Sequence, residues 1–435
     1  MHKGAVMVSH KEKIIMKILV VGGGGREHAT VKSLAKEGRQ LFCAPGNAGI
    51  ANLATCVDIK TNDVEGIVKF AVENEIDLAV VSQDEPLVLG MVDALQAAGI
   101  RAFGPNKAAA IIEGSKAFSK DLMKKYNIPT AAYEKFTEVE PAIAYLQAQN
   151  SYPAVIKASG LALGKGVIIA ENFEDAKEAV IEMLEGGKFG ESGSEIVIEE
   201  FLTGTEVSVL AFTDGKCVKP MISSKDHKRA FDDDKGLNTG GMGVIAPNPV
   251  YTKEVEAEAF EKIFIPTMNA KNAEGRTFKG VLYFGLIVTE QGPKVIEYNC
   301  RLGDPEAQVC LSLLETDLLE IMNAVIDGTL ENVEFSNKEG GAIVVMMCSG
   351  GYPEAYAKGK EITGLKADGQ NDSFHYIFHS GTAFKDGKYV SNGGRVLGFV
   401  CLGDDVKDAQ DKVYAAIDQV AFENSFYRHD IGGKR

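Results

Sequence analysis

The segment KVIEYNCRLGDPE, residues 294–306, sets Glu297 and Asn299 two positions apart inside an alternating apolar run. Period two places both on one face of a strand. A carboxylate and an amide oxygen are hard donors, suited to a Mg2+ ion that also bridges nucleotide phosphates. A solvated Glu and Asn is the plain alternative, but the flanking residues are apolar, and a polar pair among them asks for a ligand. Arg301 follows and can clamp a carboxylate or a phosphate with two parallel hydrogen bonds. Asp304 stands before Pro305, so it reads equally as a ligand contact and as a helix N-cap.

A second set lies upstream, in VIKASGLALGKGVIIA, residues 155–170. Lys157 belongs to a strand, and Lys165 to a loop punctuated by Gly160, Gly164 and Gly166. The loop is not a P-loop, because a strand rather than a helix follows it. A glycine loop between antiparallel strands can fold over a triphosphate, and its two lysines then neutralise phosphate oxygens. An ordinary hairpin rarely carries that interleaving, and a purely structural turn is the alternative. IVIEEFL, residues 196–202, adds Glu199 and Glu200, with Glu206 beyond. A strand running into a linker offers adenine an acceptor and a donor, and a nearby carboxylate can hold ribose hydroxyls. Alone, paired Glu on a strand edge is a solvated face; the reading gains weight from the loop before it. SSKDHKRAFDDDKGLNTGGMG, residues 223–243, contributes Asp226, His227, Lys228, Arg229 and a further glycine nest. His227 lacks metal spacing and reads as a positioning or plain polar group.

MKILVVGGGGREHA, residues 16–29, joins a short apolar strand to a helix through four glycines. The dinucleotide fingerprint requires a third glycine, where this chain has Glu27 or His28, and an acidic end to the second strand, where it has FCAPGN. Both requirements fail. Backbone N–H groups at a helix start still favour a phosphate, and Arg26 adds a charge-assisted donor. A tight packing turn is the alternative.

These residues must be held by at least three kinds of unit. Residues 16 to about 115 alternate short apolar strands with amphipathic helices near 26–36, 63–74 and 86–98, the pattern of a doubly wound parallel sheet. YPAVIKAS, KGVIIA, a helix near 173–186 and EIVIEEFL read as a small antiparallel α+β unit. EVSVLAFTDGKCVKPMI and VLYFGLIVTEQGPKVIEYN read as hairpins turning at Asp214-Gly215 and Gln291-Gly292. Between them we expect a long polar loop at 223–249 and one helix at 252–274. From 331 onward the chain turns β-rich before a terminal helix. We therefore divide it into an extension at 1–15, a Rossmann-like domain at 16–117, a central domain at 118–330 with a lid at about 122–190, and a β-rich domain at 331–435. The 435 residues allow several cores, and 45% hydrophobic with 25% charged residues is ordinary for a globular protein. A net charge of −15 argues against broad nucleic-acid or anionic-membrane binding. Seven cysteines without a C-x-x-C pair read as reduced thiols of a cytoplasmic protein.

The order of strand, lysine-bearing glycine loop, EEFL, hairpin and E-x-N resembles the ATP-grasp superfamily. More narrowly, GGGGREHA, APGNAG, EGSKAFSKD, IKASGLALGKGV, DHKR, NTGGMG, EYNCRLGDPE, GGYP, HSGT and GGRVL resemble, in the same order, the phosphoribosylamine-glycine ligase family. The resemblance implies a central ATP-grasp fold and ATP-dependent joining of glycine to 5-phosphoribosylamine, in the second step of purine synthesis, through glycyl phosphate. It implies an ATP site of Lys116, Lys157, Gly164, Lys165, Gly166, Glu199, Glu200, Phe201, Leu202 and Glu206, and a Mg2+ or Mn2+ site of Glu297 and Asn299. Asp226, Asn238, Thr239, Gly240, Gly241, Arg301 and Asp304 would surround substrate, with Arg301, Asp226 and Lys165 at the chemistry. Gly24, Gly25, Arg26 and Glu27 would take the sugar phosphate, and Asp84 or Glu85 the sugar. The implied enzyme is a cytoplasmic monomer acting on small molecules. Three departures stand out: SQDEPL for the usual GPEAPL, GLALGKG for GLAAGKG, and Leu237 where Pro is common. The nearest alternative is another ATP-grasp carboxylate–amine ligase with a different acceptor.

Overall fold

The computed structural model describes residues 15–162, 166–187 and 189–434. The expected extension therefore lies, apart from Ile15, outside the described residues, as do Gly164 and Lys165 of the expected ATP site. A five-stranded parallel sheet opens the fold, in the order Thr55–Cys56, Arg39–Pro45, Met16–Gly22, Leu78–Val81, Arg101–Phe103. Its middle strand is apolar throughout because both faces are covered: Ile18 and Val20 enter one core, Leu19 and Val21 another. The expected doubly wound sheet is present. The expected helix at 86–98 is two helices, Asp84–Leu89 and Met91–Ala97, parted at Gly90, whose φ of +94° ends the first in a left-handed residue.

A second sheet is antiparallel, in the order Tyr133–Phe136, Ile196–Glu200, Ala154–Ala158, Val167–Ala170. Helices Val139–Gln149 and Phe173–Leu184 close one face of it, with Ala142, Leu146, Ala176 and Val180 against Ile156 and Ile198. A third sheet holds the two expected hairpins, in the order Val218–Pro220, Thr205–Thr213, Gly280–Thr289, Gly292–Asn299. The helix expected at 252–274 is Lys253–Ala259 and Ile265–Ala273 joined by a π-helical segment, Phe260–Phe264.

The long loop expected at 223–249 is instead largely strand. Arg229–Phe231 and Lys235–Asn238 form a hairpin, while Lys225–Asp226 and Gly243–Ala246 join a six-stranded sheet with Gly341–Ser349, Arg395–Gly403, Tyr376–His379 and Ser425–Phe426. The strand GVIA is four residues long and pairs with Gly341–Ser349, about a hundred residues away. Such a pairing has no local signal. Its consequence is direct: Asp226 and the NTGGMG segment are fastened to the carboxy-terminal sheet.

Candidate active site

The glycine turn is built around Glu27. Its carboxylate accepts from the Gly24 N–H (2.7 Å) and from Arg26 Nε (2.7 Å), and the side chain is fully buried. This reciprocal cap fixes the first turn of helix Gly25–Leu34. Glu27, expected at the substrate, thus belongs to the construction of the turn. Arg26 also donates to the Leu302 carbonyl (3.0 Å), and its N–H reaches Asp304 Oδ2 at 3.5 Å. Asn47 Nδ2 donates to the carbonyls of Gly23 and His379, tying the turn to the carboxy-terminal sheet.

Asp304 does not cap the following helix, Glu306–Leu313. Its carboxylate instead accepts from Gln308 Nε2 (2.8 Å) and faces Arg395 (3.5 Å). Burial opposes its charge, but Arg395 and Arg26 outweigh burial and hold the carboxyl below the usual range. Asp84 opens helix Asp84–Leu89, and there too Arg301 and Arg26 overcome burial to keep the acid ionised. Glu85 is exposed and turned to Asn62 (3.2 Å). Of the two acids considered for the sugar, Asp84 is the one near the arginines.

The lysines expected at the phosphates converge from separate elements. Lys116 begins helix Lys116–Lys125, capped by Ser115 Oγ, and its Nζ donates to the Gly160 carbonyl (3.0 Å). Burial pulls the Lys116 ammonium below its ordinary pKa. Lys157, on strand Ala154–Ala158, pairs with Glu199 Oε1 (3.0 Å) and donates to the Ile296 carbonyl (3.1 Å). That carbonyl is turned to Lys157 at a β-bulge: Val295 pairs with Leu286 and Glu297 with Gly285, leaving Ile296 unpaired. Glu199 Oε2 meets Lys120 (2.9 Å), so one buried carboxylate lies between two ammonium groups. Burial, countered by Glu199, brings Lys120 down to about 8. Glu200 is exposed and accepts from the Ala132 N–H (2.9 Å). Phe201 is exposed, Leu202 half-buried, and Glu206 pairs with Lys228 (3.3 Å). Gly166 abuts Ala162, where a Cβ would approach to 2.5 Å.

Glu297 and Asn299 lie on strand Gly292–Asn299, and Arg301 follows two residues beyond its end. Lys228 lies 3.5 Å from Glu297, and Asn299 Oδ1 accepts from Arg301 at 3.4 Å. Burial raises the Glu297 pKa, yet Lys228, Lys157 and Lys116 together drive it below the ordinary value. Arg301 is gripped by Glu113 Oε1 (2.9 Å), whose Oε2 accepts from the Cys300 N–H (2.6 Å). Glu113 was not among the expected site residues. Its signal was an acid at the end of the apolar run AAAII, the first residue of the quoted EGSKAFSKD.

Asp226 Oδ1 is buried without a hydrogen-bond partner. Burial, and next the Glu306 carboxylate, push the Asp226 pKa well up. In the adjoining segment, Asn238 pairs with Arg229 in the hairpin, Thr239 Oγ1 donates to the Lys228 carbonyl, and the Gly240 N–H donates to Tyr352 Oη. Arg395, carried by the carboxy-terminal sheet, donates to the carbonyls of Gly240 (2.6 Å) and Asp304 (2.7 Å). It too was missed, although GGRVL was among the matching motifs. His227 is buried against the Gly243 carbonyl and lowered by burial to about 4, which suits a packed neutral ring. No cluster of three or more His, Cys, Asp or Glu side chains able to hold a metal occurs among the described residues. Glu297 and Asn299 fit a cation that takes its remaining ligands from phosphate and water.

Three family models match the chain: phosphoribosylglycinamide synthetase N domain over residues 16–113, its ATP-grasp (A) domain over 114–307, and its C domain over 342–434. The chain is 47% identical to a phosphoribosylamine–glycine ligase of Caldanaerobacter subterraneus, over 96% of this chain and 99% of that protein. It is 48% identical to the ligase of that name from Pasteurella multocida, over 96% and 97%. The crystal structure of a phosphoribosylamine–glycine ligase from Thermotoga maritima superposes with a TM-score of 0.83 at 34% identity, covering 96% of this chain and all of that one. A biotin carboxylase from Campylobacter jejuni shares the fold, with a TM-score of 0.73 at 16% identity, covering 95% and 93%.

Proposed function

The chain belongs to the phosphoribosylglycinamide synthetase family, and from that premise we propose that it joins glycine to 5-phosphoribosylamine at the expense of ATP, giving glycinamide ribonucleotide, ADP and phosphate. The observation that carries this reading is the convergence of Lys116, Lys157 and Arg301 on the strand edge bearing Glu297 and Asn299.

A carboxylate is a poor acyl donor, so glycine first receives the γ-phosphoryl group of ATP. Phosphoryl transfer asks the protein for alignment and charge neutralisation. Lys116 and Lys157, with Lys165 of the glycine loop, offset phosphate charge. Glu297 and Asn299 would hold a divalent cation, Mg2+ or Mn2+, which supplies further neutralisation on the phosphate oxygens. Arg301, held by Glu113, faces the transferring group. Asp226 and the segment 238–241 enclose glycine. The amine of phosphoribosylamine then attacks the glycyl carbonyl and phosphate departs. Backbone N–H groups of Gly24 and Gly25, with Arg26, receive the sugar phosphate, and Asp84 receives the ribose hydroxyls. Glycyl phosphate hydrolyses readily in water, so the glycine loops are expected to exclude water as lids. The seven cysteines are free thiols, five of them buried, in keeping with a reducing cytoplasm. We take the working unit to be a monomer.

The test is ADP formation that requires both glycine and phosphoribosylamine. Stimulation by a different amine would reassign the acceptor. Glycine labelled with 18O in its carboxyl should pass label to the released phosphate; unlabelled phosphate would rule out the acyl-phosphate route.

A further inference from the structure

Between the end of strand Leu78–Val81 and the segment after Asn299 lies a cavity of about 10 Å3, lined by Ser82, Phe103, Gly104, Val281, Cys300 and Arg301 among others. Of its lining residues, only Ser82, Cys300 and Arg301 have polar side chains. Ser82 is 4% exposed, and its Oγ has no hydrogen-bond partner. Arg301 Nε is buried and also without a partner, although the Nη atoms of that guanidinium reach Glu113, Asn299 and the Leu302 carbonyl. A buried donor or acceptor left unpaired is costly, because it forfeits its water without gaining a partner. Here a donor that cannot accept and a hydroxyl that can do both belong to two residues lining one small chamber.

We propose that this chamber is a binding site for a single water, which accepts from Arg301 Nε and donates to Ser82 Oγ, making Ser82 a positioning residue for Arg301. Room of about 10–15 Å3 is the least that a water needs, so nothing larger fits. Burial keeps the Cys300 thiol protonated, which leaves it a weak third partner. A guanidinium held at Nη alone can rock about its Nε edge; held there as well, it keeps the orientation that Glu113 and Asn299 give it. The bridge also crosses a structural seam. Ser82 stands two residues before Asp84, on the sugar side, whereas Arg301 stands on the phosphate side. The role given to Arg301 rests on the ligase reading, but the water does not.

A high-resolution crystal structure of the wild-type protein should show an ordered water within hydrogen-bonding reach of Ser82 Oγ and Arg301 Nε. Ser82→Ala should lower kcat for ADP formation about tenfold, equivalent to about 1.4 kcal/mol of barrier, while leaving KM for ATP unchanged. Density with no peak between these atoms overturns the proposal, and so does a Ser82→Ala enzyme with wild-type kcat. Should that variant fail to fold, the wild-type density decides alone. A wild-type protein that forms no ADP with glycine and phosphoribosylamine sinks the ligase reading instead and leaves the water to be judged by its density.

Discussion

At the scale of single residues, the site is governed by buried ion pairs whose members come from different segments. Arg301 shows this most clearly, because Glu113 neutralises and orients it from a helix almost 190 positions earlier. Removing one partner of a buried pair costs about 3–5 kcal/mol. With the Arg301 side chain 18% exposed, Glu113→Ala should destabilise the protein by about 3 kcal/mol in urea titrations and lower kcat more than it raises any KM. Glu199 follows the same logic with two lysines. Lys157→Met leaves it Lys120, so the fold should survive while KM for ATP rises about tenfold, the cost of one charge-assisted hydrogen bond. Lys165→Ala should raise KM for ATP or lower kcat; unchanged kinetics would remove that lysine from the site.

At the scale of elements, the segment 238–241 is held by backbone contacts that tolerate little change. Gly241 has a φ of +112°, and a Cβ there would lie 2.6 Å from Pro305 Cδ and 2.7 Å from Asp226 Oδ1. Both the conformation and the space demand glycine. Gly241→Ala should therefore cost about 1–3 kcal/mol, read as a lower melting temperature, and displace Asp226, read as a raised KM for glycine with KM for ATP nearly constant. The bulge at Ile296 is a second such device. One extra residue in the strand directs a carbonyl at Lys157 without disturbing the alternation that presents Glu297 and Asn299.

At the scale of the whole molecule, helix Gly25–Leu34 meets the carboxy-terminal sheet through a histidine packed among aromatic rings. His28, on helix Gly25–Leu34, accepts at Nδ1 from the His379 N–H (2.8 Å) and packs edge-on against Tyr376 and Phe378. Burial lowers the His28 pKa well below 6.5 and brings His379 to about 4, with His227 likewise near 4. The folded state resists protonation that the unfolded chain accepts, so stability is complete above pH 6.5 and falls as pH drops toward 4. Each such histidine contributes a slope of about 1.4 kcal/mol per pH unit. Melting temperature should decline steeply over this window, and His379→Gln should flatten the decline; an unchanged slope would place the acid sensitivity elsewhere.

The sequence by itself determined whatever depends on local pattern. Apolar strands alternating with helices marked the parallel sheet, glycine turns marked the hairpins, and period two set Glu297 and Asn299 on one face. Ordered motifs marked the family. Tertiary structure alone decided which partners these residues met. Glu113 gripping Arg301, Arg395 pinning Gly240, and GVIA joining a distant sheet are contacts between remote segments, and no local spacing encodes them. The opening turn illustrates the division. Its glycines announced a phosphate-binding shape, but only the fold showed Glu27 closing that turn from within, leaving Arg26 and Asp304 at its mouth.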